Sequence, residues 1–323
     1  MRDNAHEMRR DWIQFMSSVT SSRSLYTGFG VVAILLWSTV VAFGRSVTEG
    51  LGPVTSAAFV NLIGGILGCI YLALTTGVQQ TVRGLSTKYL VGCGGMFVGY
   101  MLVLFLALGM ADGRRQVLEV ALVNYLWSVM ILLFSILLLK MRANLWLLPG
   151  VFAAVAGMFL ATGQNQPLSA WVFAENMAAN GLPYLMALLA AASWALYSVL
   201  SRKWGSSDNV AAVPLFMLAT GMILLVVRLG VAEETTWTAQ TVYELLYMAI
   251  GPNIAYVLWE HAVRKGDIVV VASAAYFTPL LSTVVSCIYL DVVPGSRLWI
   301  GCVGIVLGAV VCTRSVREPA PSV

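Results

Sequence analysis

Some ionisable side chains of this sequence lie inside or beside long apolar runs, where a charge is costly in free energy. Glu260 and His261 lie near the end of one such run, and Glu119 lies near the start of another. A charge at bilayer depth costs at least about 2.5 to 3.5 kcal/mol, and histidine titrates close to neutral pH. These three residues are therefore candidates for relaying a proton or holding a substrate ammonium. The alternative is that each side chain reaches the membrane interface.

Aromatic residues near the centres of the apolar runs form a second group of candidates. Membrane proteins normally carry Trp and Tyr at the two interfaces, so a central position is unusual. Each ring has a polar N–H or O–H that needs a partner when it is buried, and a wet cavity would supply one. We predict that they line a central cavity, while simple helix packing stays open for any single ring. These aromatic residues are Trp37, Tyr100, Tyr125, Trp127, Trp194, Tyr197, Tyr256 and Tyr276.

Helical spacing places three further residues on the faces that carry these aromatic rings. Asn124, Asn253 and Pro279 each lie three residues from an aromatic candidate in the same run, which puts both on one helix face. Pro279 also removes a backbone donor and frees a carbonyl that water or substrate could satisfy, although a simple kink is the alternative. We predict that these faces converge on the cavity. The alternative is polar contact that joins neighbouring helices in pairs.

The elements that must position these residues are membrane-spanning helices. Hydrophobic residues make up 59% of the chain and charged residues only 11%, which is too little polar material to cover a soluble domain. About ten apolar runs have the roughly 18 to 23 residues that cross a hydrocarbon core of about 30 Å. We therefore predict an all-α, polytopic membrane protein of ten transmembrane helices. The predicted spans are 26–44, 54–76, 88–108, 117–139, 145–163, 183–201, 211–230, 242–263, 268–290 and 298–313.

The distribution of basic residues predicts the orientation of the spans. Fourteen of the 19 Lys and Arg residues fall in one set of loops and tails when both termini are placed in the cytoplasm. This asymmetry in short loops is the positive-inside signal. The first 25 residues show no cleavage site after a short apolar core, so we expect the first span to be retained.

The two halves of the chain resemble each other. Trp37 and Arg45 recur as Trp194 and Arg202 at an offset of 157, and further Gly and aromatic pairs follow at nearly the same offset. Five spans per half is an odd number, so the second copy must enter the bilayer in the opposite orientation. An inverted repeat of this kind is typical of transporters that work by alternating access. The predicted segments are the cytoplasmic N-terminal tail 1–25, the first repeat 26–163, an extracytoplasmic connection 164–182, the second repeat 183–313 and the cytoplasmic C-terminal tail 314–323.

Particular stretches of both halves carry a resemblance to a known family. LLWSTVVAFGRSVTEGLGPVTSAAFVNLIGGIL and ASWALYSVLSRKWGSSDNVAAVPLFMLATGMIL resemble the repeat opening of EamA-type, ten-span carriers of the drug/metabolite transporter superfamily. Residues 255–311 resemble the ending of that repeat, in which a Pro-containing helix precedes an acidic turn and a Gly-rich helix. Trp127 departs from this pattern, because it stands where the second half has Pro279. Lys140 departs as well, since the second half has Asp291.

Within that superfamily the chain is similar to the exporters of aromatic amino acids in bacterial inner membranes, which also extrude methyl viologen-like compounds. The resemblance implies a secondary transporter in the bacterial inner membrane, surrounded by the lipid bilayer, with an aromatic amino acid as its small-molecule substrate. We expect a monomer or a weak homodimer that needs no cofactor.

Residues that are missing narrow the class of substrate. No Lys or Arg lies at the centre of a span, so a sugar phosphate or nucleotide sugar would find no fixed counter-ion. No acidic residue lies in the middle of the first span, where small multidrug carriers of the superfamily hold their cation-binding Glu. Export of lipophilic cations stays open as an alternative, because aromatic faces can bind a cation. Export of other metabolites also stays open.

Other function classes lack their signatures in the sequence. There is no HExxH, GxSxG or nucleotide-binding loop, so an intramembrane enzyme is the less favoured alternative. Rings of repeated polar residues that would indicate a channel are not evident. The five Cys residues lie in apolar runs without CxxC spacing, so we expect neither a disulfide nor a metal site. The net charge of +4 follows from orientation in the bilayer and indicates no nucleic-acid partner.

Overall fold

The backbone of this chain is helical in nearly all of the described segments. The computed structural model describes residues 22–162, 170–205, 212–289 and 295–318. Water is absent from a hydrocarbon layer, so every backbone N–H and C=O must find a partner inside the protein, and an α-helix satisfies its own. The apolar composition and the helical backbone therefore have the same physical origin.

The helices follow one another with short connections. In chain order they are α1 (22–38), α2 (Val40–Leu51), α3 (Pro53–Thr75), α4 (Val78–Gly84), a π-helical turn (Lys88–Cys93), α5 (Gly94–Gly109), α6 (Gly113–Asn124), α7 (Trp127–Leu138), α8 (Leu147–Thr162), α9 (Ala170–Ala179), α10 (Leu182–Trp204), α11 (Val213–Leu229), α12 (Ala239–Lys265), α13 (Ile268–Ala274), a 3₁₀ turn (Ala275–Phe277), α14 (Thr278–Tyr289) and α15 (Ser296–Ser315). Two short strands, β1 (Arg142–Ala143) and β2 (Val316–Arg317), pair antiparallel.

Six helical segments within the described ranges are long and apolar enough to cross a membrane. They are Pro53–Thr75, Lys88–Gly109, Glu119–Leu138, Leu182–Trp204, Ile268–Val285 and Ser296–Ser315. Two shorter apolar helices, Leu147–Ala161 and Val213–Leu229, coincide with two more predicted spans. The prediction of an all-α, polytopic membrane protein is confirmed. The remaining predicted spans, 26–44 and 242–263, overlap α1 with α2 and α12, and the count of ten stays a prediction.

Two spans are interrupted at corresponding places in the two halves. α6 and α7 are separated by Tyr125 and Leu126, and α13 and α14 are separated by the 3₁₀ turn. Pro279 lies in the first turn of α14, whereas Trp127 begins α7. The interruption therefore forms with or without a proline, and both halves share it despite the difference in sequence.

Helices at equivalent positions of the two halves pack against each other. α3 packs on α11, and α8 packs on α15. Glycine makes the second contact close, because a Cβ built on Gly157 would lie 2.6 Å from the carbonyl oxygen of Gly301. Such small residues let two helix backbones touch, which is the usual basis of helix association in lipid. This pairing is what two related halves would produce, while their inverted orientation stays a prediction.

Acidic side chains cap the starts of two helices. Asp267 Oδ1 accepts hydrogen bonds from the backbone N–H groups of Val269 and Val270 at 3.0 and 3.2 Å, and so begins α13. Glu233 lies before α12 but accepts the backbone N–H groups of Val54 and Thr55 at 2.7 and 2.8 Å, at the start of α3. Such bonds satisfy the free donors of a helix N-terminus and place negative charge at its positive end.

Ion pairs tie the helix ends together at the face that carries most of the basic residues. Arg23 contacts Asp267 at 2.9 Å and Glu318 at 3.0 Å, while Arg202 contacts Glu318 at 2.7 Å. β1 and β2 pair beside the same C-terminal segment. These contacts join α1, α10, α13 and the C-terminal segment at the end of the bundle that is predicted to face the cytoplasm.

Candidate functional site

An aromatic cavity of about 240 Å³ lies where α1, α2, α5, α6, α7, α10, α12 and α14 meet. None of the described side chains in its lining is charged. Its volume is below the roughly 300–1,000 Å³ of sites for drug-sized ligands, so it suits one small metabolite. The lining consists of Trp37, Val40, Tyr100, Leu104, Leu108, Ala121, Asn124, Tyr125, Trp127, Trp194, Tyr256, Thr278 and Ser282.

The structure brings seven of the eleven predicted substrate-binding residues together in this lining. They come from both halves of the chain and from six helices, with Tyr125 between two of them. The seven are Trp37, Tyr100, Asn124, Tyr125, Trp127, Trp194 and Tyr256.

Trp194 lies at the centre of the aromatic wall. Its ring centroid is 4.9 Å from that of Tyr100, 5.6 Å from Trp37, 5.6 Å from Tyr256 and 6.3 Å from Trp127. Tilted and edge-on aromatic pairs at such distances are favourable and hold the rings in fixed orientations. The wall is therefore a preorganised aromatic surface to which both halves contribute.

Trp259, which was not among the predicted residues, closes the wall on the side of the predicted cytoplasm. Its side chain is fully buried, and its ring lies 5.3 Å from both Trp37 and Trp127. The indole N–H donates a hydrogen bond of 3.0 Å to Ser198 Oγ. The signal was present, because Trp259 follows Tyr256 by three residues and so shares its helix face.

Three of the other predicted residues lie near the cavity without lining it. Tyr197 is fully buried and packs edge-on against Phe97 at 5.3 Å, below the wall. Tyr276 is fully buried beside Cys312 of α15. Pro279 follows the lining residue Thr278 in α14 but does not contribute to the lining.

Asn253 has a packing role in this structure. Its Nδ2 donates hydrogen bonds to the carbonyl oxygen of Val60 in α3 at 2.9 Å and to that of Ala249 in its own helix at 2.8 Å. It lies outside the aromatic cavity and beside a separate groove. Polar contact between helices, the alternative weighed from the sequence, describes this side chain.

Two polar residues of the lining, Thr278 and Ser282, were also missed. Both side chains are buried, and neither hydroxyl has a hydrogen-bond partner of normal geometry among the residues that the structure describes. They lie four residues apart and therefore share a face of α14. Their position beside Pro279 could have indicated that they line the cavity. They were overlooked because the run as a whole is apolar.

Glu260 is fully buried within the helix bundle. Its Oε1 lies 3.1 Å from Nη1 of Arg264, and it also accepts a hydrogen bond from the hydroxyl of Tyr89. Its Oε2 has no hydrogen-bond partner among the described residues. Arg264 in addition lies 5.6 Å above the ring of Tyr89. Such a buried pair is held by its local geometry, because each charge alone would be costly.

Glu119 is also fully buried, at the opposite end of the bundle. Both carboxylate oxygens accept hydrogen bonds from Asn176 Nδ2, at 3.2 and 3.0 Å, and Tyr184 also donates its hydroxyl to this carboxylate. Asn176 belongs to α9, which thereby holds the start of the fourth span. Glu119 lies outside the lining of the aromatic cavity.

His261 lines a lateral groove of about 690 Å³ between α1, α3, α11 and α12. Its Nδ1 lies 2.8 Å from the carbonyl oxygen of Val257, and its ring stacks on Tyr26 with a centroid distance of 6.3 Å. The groove lining is mostly apolar and includes exposed side chains such as Leu67 and Ile254. His261 is therefore separate from the aromatic cavity.

The segments that the structure describes contain no candidate metal-binding site. No group of three His, Cys, Asp or Glu residues there could hold a metal ion. Cys69, Cys93, Cys302 and Cys312 are free thiols.

Comparison with protein families matches this chain twice. Residues 25–163 and residues 181–314 each match the EamA-like transporter family. The two matched segments correspond closely to the two predicted repeats.

Comparison with individual proteins finds relatives along most of the chain. The chain is 32% identical, over 90% of its length and 98% of the relative, to the "Aromatic amino acid exporter YddG" of Salmonella typhimurium. The protein of the same name from Escherichia coli is 31% identical over 92% of this chain and 99% of its own. A solved crystal structure that is 29% identical covers 91% of this chain and 99% of its own, with a TM-score of 0.77.

Proposed function

We infer that this chain, which belongs to the EamA-like transporter family, is a secondary transporter that exports aromatic amino acids. Family membership and exporter-named relatives support the transport function. The substrate is our proposal, and one observation carries it. That observation is the uncharged cavity walled by Trp37, Trp127, Trp194 and Tyr256, which offers flat apolar faces of the size and shape of an aromatic side chain.

Alternating access is the proposed mechanism, and the two ends of the cavity support it. Tyr100, Leu104 and Leu108 continue the lining along α5 towards the predicted extracytoplasmic end. At the other end Trp259 and Phe97 are fully buried, and the Glu260 and Arg264 pair lies beyond them. We therefore propose an outward-open conformation that closes at the cytoplasmic end, with the two halves exchanging these states during transport.

Energy coupling is proposed at Glu260. In the closed state the buried Glu260 carboxylate neutralises Arg264. When the cytoplasmic end opens, the two side chains can separate, and the carboxylate can then bind a proton. Glu119 and His261 are weaker candidates, since Glu119 is held by Asn176 and His261 lines the lateral groove.

The setting that we propose is the bacterial inner membrane, with both termini in the cytoplasm and the chain acting as a monomer or weak homodimer. The apolar spans and the bacterial relatives support the membrane. The ion pairs of Arg23 and Arg202 lie at the end with most basic residues, which agrees with the positive-inside orientation.

Export of lipophilic cations is the second candidate function. The faces of Trp and Tyr attract a desolvated cation through cation–π contact. However, the part of the lining that the structure describes has no carboxylate that could neutralise a permanent cation. A flat zwitterion therefore fits the cavity better than a cation does.

Transport in liposomes tests the proposal. Purified protein should move labelled Phe, Tyr or Trp faster than protein-free liposomes, and unlabelled aromatic amino acids should compete. Methyl viologen and a phosphorylated metabolite serve as comparison substrates. Movement of either comparison substrate without movement of any aromatic amino acid would refute the substrate assignment. Repeating the assay with and without an imposed proton gradient tests the coupling.

A further inference from the structure

Among the described residues, twelve buried side-chain N or O atoms have no hydrogen-bond partner of normal geometry, and three of them lie in the aromatic cavity. They are Oδ1 of Asn124, Oγ1 of Thr278 and Oγ of Ser282. Their residues are only 8%, 6% and 4% exposed, so bulk water does not satisfy them. An unpaired buried polar group costs free energy comparable to a lost hydrogen bond, and native proteins rarely leave several together. A cluster of three in one cavity therefore points to a polar ligand group.

We propose that these three residues recognise the α-ammonium and α-carboxylate groups of the transported amino acid. The inference rests on the proposed function and adds the residues that select an amino acid over other aromatic compounds. Asn124 Oδ1 accepts a hydrogen bond from the ammonium, because an amide oxygen is an acceptor only. The hydroxyls of Thr278 and Ser282 donate to the carboxylate.

The arrangement of the lining supports a head group at this position. Thr278 and Ser282 are one turn apart on α14, and neighbours at this spacing have Cβ atoms about 5–6 Å apart, which lets both hydroxyls reach one carboxylate. The hydroxyl of Tyr125, which follows Asn124, lies near Ser282. Asn124 of α6 and Thr278 and Ser282 of α14 line the same cavity as the rings around Trp194, which come from other helices.

Charge balance favours the same ligand. Burying a single charge without a counter-ion is strongly unfavourable, and the described lining residues supply no counter-ion. A zwitterion has no net charge, so neutral dipoles that bond each of its ends can hold it. An aromatic amine or an aromatic acid would bring an uncompensated net charge into the cavity. It would also lack the group that bonds either Asn124 or the two hydroxyls.

Competition binding tests the proposal on the full chain in detergent. Labelled L-phenylalanine is displaced by unlabelled L-phenylalanine, by phenethylamine, which lacks the carboxylate, and by 3-phenylpropionate, which lacks the ammonium. We expect both analogues to compete roughly tenfold or more weakly with the unaltered protein, since a hydrogen bond to a charged group contributes at least that factor.

Substitutions then assign the two ends of the ligand. Thr278→Val with Ser282→Ala should reduce the discrimination against phenethylamine by roughly tenfold, and Asn124→Leu should reduce the discrimination against 3-phenylpropionate. Thr283→Val is the matched control on the same helix, because its hydroxyl already bonds the carbonyl oxygen of Pro279 at 2.8 Å. It should leave both ratios unchanged. Melting temperatures check folding, and the single Ser282→Ala variant replaces the double variant if the latter is unstable.

The possible failures are distinguishable. If the unaltered protein binds no aromatic amino acid, the proposed function fails and this inference fails with it. If L-phenylalanine binds but both analogues compete equally well, the head-group site is wrong while the aromatic substrate stands. Unchanged ratios in the folded variants would likewise overturn the assignment of Asn124, Thr278 and Ser282.

Discussion

Trp37 donates its indole N–H to the carbonyl oxygen of Pro252 across 3.3 Å, which ties the first helix of the chain to the proline-containing middle of α12. The same indole ring lies 5.1 Å from Tyr256 and 5.3 Å from Trp259, both in α12. A residue of one half thus holds three residues of the other around the cavity. Motion of the halves relative to each other must change this contact, which connects cavity geometry to transport.

Replacement of Trp194 by alanine should remove the centre of the aromatic wall. Trp194 contacts Trp37, Tyr100 and Tyr256, so its loss both enlarges the cavity and frees its neighbours. We expect transport of aromatic amino acids to fall by about tenfold, because one lost aromatic contact weakens substrate binding by about 0.5–1.5 kcal/mol beyond the loss of buried area.

Transport in liposomes, normalised to inserted protein, measures this effect. Trp299→Ala in α15 is the matched control, since that side chain is 60% exposed and lies outside the cavity lining. Equal transport by the Trp194→Ala and Trp299→Ala variants would remove Trp194 from the substrate path.

The sequence predicted the helical fold and pointed to most of the aromatic residues that line the cavity, because both follow from depth and periodicity. Central aromatic residues such as Tyr100 and Trp194 stand out against the usual interfacial placement. Repetition of Trp37 at Trp194 also indicated that both halves contribute to one site. These signals depend on single residues in single helices, which a sequence displays directly.

The remaining features depend on contacts between segments that are distant in sequence. Helical spacing placed Asn253 on the face of Tyr256 but could not show that Val60 of α3 accepts its hydrogen bond. The sequence left open that the Glu260 side chain reaches the membrane interface. Only the fold shows that Tyr89 and Arg264 contact its carboxylate. Thr278 and Ser282 were missed because unpartnered hydroxyls are recognisable only once every neighbour is placed.

Replacement of Asn253 by alanine should lower stability more than it lowers substrate affinity. The side chain bonds two carbonyl oxygens, one of them on a neighbouring helix, and such contacts contribute about 0.6–2 kcal/mol within a membrane. Asn61→Ala is the control, because Asn61 Nδ2 bonds only the carbonyl of Ala57 in its own helix. Melting temperature in detergent and the KM for transport separate the two effects. A raised KM with unchanged melting temperature would assign Asn253 to the substrate instead.

Replacement of Glu233 by glutamine should destabilise the fold in a pH-dependent manner. Partial burial raises the pKa of this carboxyl, but hydrogen bonds from Thr55 and Val54 and the charge of Arg228 outweigh it and lower the pKa overall. The folded pKa is therefore below the unfolded value of about 4.3, so the stabilisation is complete above that pH and is lost as pH falls through the folded pKa.

Melting temperatures of the two proteins across the acidic range test this expectation. The unaltered protein should be more stable than Glu233→Gln at pH 7, by about 1–3 kcal/mol, and the difference should shrink below about pH 4. Glu234→Gln, at an exposed neighbouring position, should show no such difference. A constant gap between the Glu233→Gln and unaltered proteins from pH 7 to pH 3 would contradict the role of the charge.

Replacement of Glu260 by glutamine should leave Arg264 as a buried charge without its partner. Removal of one member of a buried pair typically costs about 3–5 kcal/mol, whereas replacement of both by uncharged side chains is often neutral. We therefore expect Glu260→Gln to lower the melting temperature and the double variant Glu260→Gln with Arg264→Met to recover it. If Glu260 carries the coupling proton, both variants should also transport at rates that no longer respond to a proton gradient. Recovery of gradient response in the double variant would exclude Glu260 as the coupling group.

Introduction of a single methyl group at Gly157 should separate α8 from α15. A Cβ at this position would lie 2.6 Å from both the carbonyl oxygen of Gly301 and the backbone nitrogen of Ile305, and backbone atoms cannot move aside as a flexible side chain can. We expect Gly157→Ala to destabilise the protein by about 1–3 kcal/mol through overpacking. Gly95→Ala is the matched control in an apolar helix, because a Cβ there meets nothing within 4 Å, and it should maintain or slightly raise stability. Equal melting temperatures for the two variants would show that α8 and α15 do not approach this closely.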